Sequence, residues 1–180
     1  MEWTIKSPDD LPALMPQLLQ ALAGHRKIAL YGEMGAGKTT LVKAICQHLC
    51  VRENTASPTF SLVNQYSYLE ADGSISLFHH LDLYRLNSAQ EAFDIGLEDL
   101  LYDPWYCVIE WPQWAEQMLP ENAIRLEIEI LGETERRIHA GRNEFRPTFA
   151  PHFALINLPT TQLHGKPPRK VQGEKTRNYF

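Results

Sequence analysis

The chain has 180 residues, 44% of them hydrophobic, and a formal net charge of −5. That length allows one domain and a tail, with enough apolar content for a real core. No run is long and apolar enough to cross a membrane, and residues 1–6 lack the basic start and apolar stretch of a signal peptide. The charge is uneven: residues 141–180 carry seven Lys/Arg against two acids, whereas residues 1–140 carry ten against twenty. An acidic body with a basic tail argues against a dedicated nucleic-acid binder, although the tail can still touch RNA or an acidic partner. Cys46 and Cys50 have the spacing of half a metal site but no matching second pair, and Cys107 lies in an expected strand. Reduced thiols of a cytoplasmic protein are the simpler reading.

In chain order, residues 3–6 read as a strand. Ser7 is a suitable N-cap, Pro8 suits the first helical position, and Asp9 and Asp10 favour the positive end of a helix running to about Ala23. Leu11, Leu14, Leu18 and Leu22 share one face of that helix, Pro16 can kink it, and Gly24 stops it. Residues 26–31 read as a short buried strand, and residues 40–49 as an amphipathic helix. Between them lies Gly32-Glu33-Met34-Gly35-Ala36-Gly37-Lys38-Thr39, followed by Thr40, a complete G-x-x-x-x-G-K-[ST] phosphate-binding loop with the correct flanks. Strand, glycine turn and helix N-terminus aim backbone N–H groups at one point and cradle an anion. Lys38 then reaches the β- and γ-phosphates of a nucleotide, and the Thr39 hydroxyl ligates Mg²⁺.

Residues 52–58 form a polar loop, residues 60–66 a strand, residues 70–73 a turn and residues 74–83 a second strand, so the two strands make a hairpin. Ser88 caps a short helix through Phe93, with Glu91 completing a capping box. Residues 99–101 suggest another helical turn. Residues 106–110 are a buried strand ending in a carboxylate, and Pro112 opens a helix to about Met118. Residues 123–131 alternate apolar and polar and pair with 135–140 across Gly132. After Ala140 the composition changes: residues 141–180 hold five of the twelve prolines, only residues 153–156 are apolar enough to dock, and the chain from about Gly165 reads as mobile. The expected organisation is a P-loop domain over 1–140 and a basic, proline-containing extension over 141–180. The expected fold class is α/β: a central, mostly parallel sheet with an antiparallel hairpin, flanked by helices.

Hydrolysis needs a second handle on Mg²⁺ and a group that orients water. Glu110 ends its apolar strand in the position of a Walker B acid and would emerge at the C-terminal edge, where phosphate loops gather; an ordinary strand-end acid is the alternative. His80, Asp82 and Tyr84 share one face of a strand, so Asp82 can position water, join the Mg²⁺ shell, or simply face solvent. His79 and His80 read as packed or solvated residues before ligands. Arg85 can offset phosphate charge, but pairing with a nearby acid is the simpler role. Ser57 and Thr59, around Pro58, lie where nucleotide-sensing switch segments occur, and otherwise form a proline turn. Trp111 follows Glu110 directly, and packing is its simplest role.

The ordered set of this P-loop, Ser57-Pro58-Thr59-Phe60 with Tyr66, His80-Leu81-Asp82-Leu83-Tyr84-Arg85 and Glu110-Trp111-Pro112 resembles the TsaE (YjeE) family, small ATPases of bacterial tRNA threonylcarbamoyladenosine biosynthesis. The resemblance covers roughly residues 1–140 and leaves the tail aside. It implies a P-loop fold binding ATP and Mg²⁺, with Lys38 as the phosphate lysine and Thr39 and Glu110 as metal ligands. Asp82 is implied in hydrolysis, and Trp111 as a functional neighbour of Glu110. It further implies adenine binding near the N-terminal strand and helix, action on the TsaB–TsaD complex with TsaC upstream, and contact with tRNA through that complex. A small-molecule kinase is a rival, but residues 88–104 are acidic (Glu91, Asp94, Glu98, Asp99, Asp103) with no arginine for a phosphoryl-transfer lid. A non-catalytic nucleotide switch is the second rival.

Overall fold

A computed structural model describes residues 1–58 and 61–142 of the chain. The readings of Thr59, Phe60 and the extension from residue 143 onward lie outside the described residues. Seven strands, β1 (Glu2–Ile5), β2 (Lys27–Gly32), β3 (Val63–Leu69), β4 (Ile75–Asp82), β5 (Tyr106–Glu110), β6 (Ile124–Ile130) and β7 (Arg136–Arg142), form one sheet in the order β1-β7-β6-β2-β5-β4-β3. β6, β2, β5 and β4 pair in parallel, and β1 runs the same way through antiparallel β7. β3 returns antiparallel to β4 as the expected hairpin. The sheet is thus the mostly parallel one expected, with antiparallel pairing toward both margins.

Among the described residues, four α-helices flank it: α1 (Leu11–Ala21), α2 (Lys38–His48), α3 (Ala89–Asp94) and α4 (Leu97–Tyr102). Alternation along β5 builds a core on each face. Val108 joins a cluster with Leu14, Leu18, Leu41 and Ile45 of α1 and α2, whereas Cys107 and Ile109 join Ala92, Leu97 and Leu101 of α3 and α4. Helices therefore cover both faces of the parallel strands, which explains why β2 and β5 read as continuous apolar runs. Cys46 and Cys107 are buried, and burial pushes both thiols up to about 12.

Local differences from the sequence reading have identifiable causes. Ser7 caps as expected, accepting from Asp9 N–H, while Asp10 closes the box by accepting from Ser7 N–H. The first turn, Pro8–Asp10, is nevertheless a 3₁₀ helix. Pro12 has no N–H to give Pro8 O, so Leu11 N–H bonds there instead. β3 begins three residues later than expected, because Leu62 is left-handed (φ +62°) and donates its N–H to Pro58 O in a turn. Ser88 caps α3, but the Glu91 carboxylate accepts from Asn87 N–H, one residue before the cap, so the expected capping box is displaced. The helix expected over 112–118 is only a 3₁₀ turn, Pro112–Trp114, followed by turns: Ala115 N–H bonds Pro112 O, and Met118 N–H bonds Ala115 O, each with i→i+3 spacing.

Candidate nucleotide site

The site lies at the C-terminal edge of the parallel strands. The register places Leu30, Glu110 and Asp82 in one row across β2, β5 and β4. Glu110 and Asp82 therefore end neighbouring strands side by side, beside the loop that leaves β2. That loop folds tightly against β6. Gly32 has φ +145°, and a Cβ there would stand 2.8 Å from Ile128 O. Gly37 (φ +102°) is the N-cap of α2, a left-handed position suited to glycine. Its N–H and those following it begin the helix that would face an anion.

Lys38 Nζ donates to Gly32 O and Glu33 O, both at 2.8 Å, and lies 3.8 Å from the centre of the Trp111 ring. Burial lowers its pKa from the usual lysine value, and Glu110 and Asp82 pull it back up. Trp111 is left-handed (φ +56°, ψ +57°), and its ring also meets that of Tyr84 at 5.0 Å. A bulky residue held there costs about 1–3 kcal/mol, and surrounding structure must maintain it. The Thr39 hydroxyl donates to Glu110 Oε2 at 2.9 Å, and His80 Nε2 lies 2.7 Å from Glu110 Oε1. Both His80 and Glu110 are buried, so each carboxylate oxygen has a fixed partner. Asp82, 8% exposed, accepts from Tyr84 N–H at 3.1 Å. Desolvation raises its pKa above the ordinary 3.8, with Glu110 adding to the effect, while Tyr84 N–H, His80 and Lys38 oppose it.

A cavity of about 410 Å³ gathers Lys38, Thr39, Ser57, Asp82, Glu110 and Trp111 with Met34, Gly35, Gly37 and Thr40 of the loop. Ser57 is thus brought to the site; Thr59 lies outside the described residues. Arg85 is exposed beyond β4. His79, on the opposite face from His80, contacts Asp103 Oδ2 at 2.7 Å. A second cavity, about 200 Å³, adjoins the first through Gly35, Gly37 and Thr40. Its walls are apolar (Ile5, Pro8, Leu11, Leu41, Ile128, Ile138), with Glu133, Thr134 and Arg136 at its polar side. Both cavities touch the glycine loop; the first adds Lys38 and the strand-end carboxylates, whereas the second adds mainly aliphatic side chains.

Sequence reasoning missed three features. The bond from His80 to Glu110 was foreshadowed only by the alternation His80-Leu81-Asp82. The apolar cavity draws on four separate segments and has no motif. Arg136, whose Nε donates to Ala36 O at 3.0 Å, carries no local signal at all.

The strand order, the glycine loop and the paired strand-end carboxylates define a P-loop NTPase fold. A crystal structure of Bacillus subtilis YdiB superposes with a TM-score of 0.53 at 24% identity, covering 77% of this chain and 82% of that one. The family model for the threonylcarbamoyl adenosine biosynthesis protein TsaE matches residues 5–138, and the chain belongs to that family. Among relatives named tRNA threonylcarbamoyladenosine biosynthesis protein TsaE, that of Aquifex aeolicus is 38% identical, covering 78% of this chain and 96% of its own. That of Bacillus subtilis is 29% identical over 77% of this chain and 83% of its own. The Rickettsia felis relative is 31% identical over 93% of this chain and 98% of its own, a share that carries the likeness past Arg142 into the tail. Among the described residues, no helix is long and apolar enough to cross a membrane.

Proposed function

We propose that this chain binds Mg·ATP and hydrolyses it in support of N6-threonylcarbamoyladenosine formation on tRNA, acting on the TsaB–TsaD complex downstream of TsaC. The observation that carries the reading is the Thr39–Glu110–His80 chain of contacts beside Lys38 at the mouth of a P-loop. Lys38 and the backbone N–H groups at the start of α2 bind the phosphates. The apolar cavity beside the loop takes the adenine ring, between β1, α1 and β6.

Thr39 and Glu110 offer a hydroxyl and a carboxylate 2.9 Å apart, a hard-oxygen pair of the kind Mg²⁺ prefers. When bound there, Mg²⁺ would neutralise charge on the β- and γ-phosphates. His80 holds the second Glu110 oxygen and so fixes the carboxylate's orientation. Asp82 orients the attacking water from the neighbouring strand. Trp111 packs over Lys38 and, with Tyr84, limits water at the lysine. Ser57, with Thr59, belongs to the segment whose position reports nucleotide state to the partner proteins. A kinase reading gains nothing here, because α3 and α4 present acids and no arginine.

The deciding experiment is multi-turnover formation of threonylcarbamoyladenosine on tRNA by TsaB, TsaC and TsaD, with and without this chain. The wild type is expected to restore turnover, and Lys38→Ala to fail while keeping its fold by circular dichroism. Full activity with Lys38→Ala would sink the proposal. Release of γ-phosphate onto a metabolite, rather than as free phosphate, would revive the kinase.

A further inference from the structure

We infer that Arg136 is a positioning residue for the phosphate cradle, an inference that rests on the nucleotide reading above. Arg136 opens β7, immediately after the turn that leaves β6. Its guanidinium is spent on carbonyls. Nη1 donates to Gly132 O at 2.8 Å, Glu135 O at 2.9 Å and Glu133 O at 3.3 Å, all within the turn. Nε donates to Ala36 O at 3.0 Å and Nη2 approaches Gly35 O at 3.4 Å, both a hundred residues away in the P-loop. One rigid, planar fork therefore ties the β6–β7 turn to the loop that would hold phosphate, which a flexible lysine cannot do equally well.

The consequence follows from peptide geometry. Ala36 C=O and Gly37 N–H belong to one trans peptide and point in opposite directions. Holding Ala36 O on the Arg136 side turns Gly37 N–H away from it, toward the loop's other side. Gly37 lines both cavities and caps α2 in a left-handed conformation. Glycine has the widest backbone freedom of any residue, so this peptide unit is the one that most needs an external restraint. With the restraint in place, the cradle is ordered before an anion arrives, and binding does not bear that entropy. The charge on Arg136 also polarises the peptide it holds and strengthens its N–H as a donor. The competing view is that Arg136 merely staples its own turn, which its three turn carbonyls alone would satisfy.

Calorimetric binding of ADP and AMP to the full chain separates the two. ADP carries a phosphate into the cradle that AMP lacks, so the ratio of their affinities reads the cradle and cancels the base cavity. Arg136→Met is expected to lower the ratio of ADP to AMP affinity about tenfold, or 1.4 kcal/mol, since any loss through the base cavity is common to both nucleotides. Arg136→Lys, which keeps the charge and part of the bonding, is expected to fall between. An unchanged ratio in the folded variants would overturn the inference and leave Arg136 a turn staple. Equal losses for ADP and AMP would overturn it in favour of a role in the base cavity. If Arg136→Met fails to fold, Arg136→Lys decides alone: a severalfold drop in the ratio supports the inference and none overturns it. A wild type that binds ADP no better than AMP would instead remove the nucleotide reading, and this inference with it.

Discussion

At the residue scale, the candidate site concentrates charge where water is scarce. Lys38, Asp82 and Glu110 are all buried at one strand edge, and two of the three are carboxylates on adjacent strands. Asp82 shows the strain of this arrangement. Its pKa is raised chiefly by desolvation, so the folded state holds its proton more tightly than the unfolded chain does. The unfolded chain loses that proton near 3.9, and stability then declines as pH rises toward the raised folded value and stays lower above it. Asp82→Asn is therefore expected to melt no lower than wild type at neutral pH, and to lose that advantage below the unfolded value. In the tRNA modification assay the same variant is expected to be inactive. A neutral-pH melting temperature well below wild type would contradict this account, because it would mean that the carboxylate stabilises the fold. Trp111 tells the same story through its backbone: a left-handed aromatic residue persists because packing on Lys38 and Tyr84 holds it there.

At the element scale, the glycine loop depends on close approach as much as on the polar groups it presents. Gly32 ends β2 with its Cα against Ile128 O of β6 and near the Ala36 side chain. A methyl there meets backbone oxygen at 2.8 Å, and no rotamer change relieves it. Gly32→Ala is expected to destabilise the domain by about 1–3 kcal/mol, the usual scale for a strained backbone position, and to abolish ADP binding. Thermal melting and calorimetry check both halves; a melting temperature equal to wild type would show that β6 yields more easily than its ladder suggests. The elements that departed from sequence expectation did so for similarly local reasons. Pro12 withheld one N–H and tightened the turn before α1, and Leu62 turned the chain just ahead of β3.

At the scale of the whole molecule, the two ends of the parallel strands do different work. The C-terminal edge carries the candidate site. Toward the other end, Lys27 Nζ donates to Asp103 Oδ1 at 2.7 Å and to Leu100 O and Trp105 O at 2.8 Å, while His79 meets the second Asp103 oxygen. Burial works to raise the Asp103 pKa, but Lys27, Trp105 N–H and His79 together hold it below 3.8. Its contribution to stability is therefore complete above the unfolded carboxylate value and is lost as pH falls through the lower folded one. Asp103→Asn is expected to lower the melting temperature at neutral pH, with the deficit shrinking in acid, and to leave ADP affinity unchanged. Weaker ADP binding at temperatures where the variant is folded would show that the two ends are coupled.

Much of this arrangement is legible in the chain itself, for a physical reason. A glycine loop, a strand of alternating burial or a capped helix is specified by residues within a few positions of one another. Spacing alone therefore located the P-loop, the β3–β4 hairpin, β5 and its terminal Glu110. Whether Glu110 meets Thr39 and His80, and whether Asp82 stands beside it, depends on strand order and register, which no window of sequence contains. The apolar cavity and Arg136 depend on them still more. β7 reaches the P-loop only because it pairs with β6, and β6 with β2, so that a residue a hundred positions away becomes a neighbour of Ala36. Local chemistry determined the elements and the glycine loop; tertiary packing decided which side chains converge on it, because burial and pairing act between segments that are far apart along the chain.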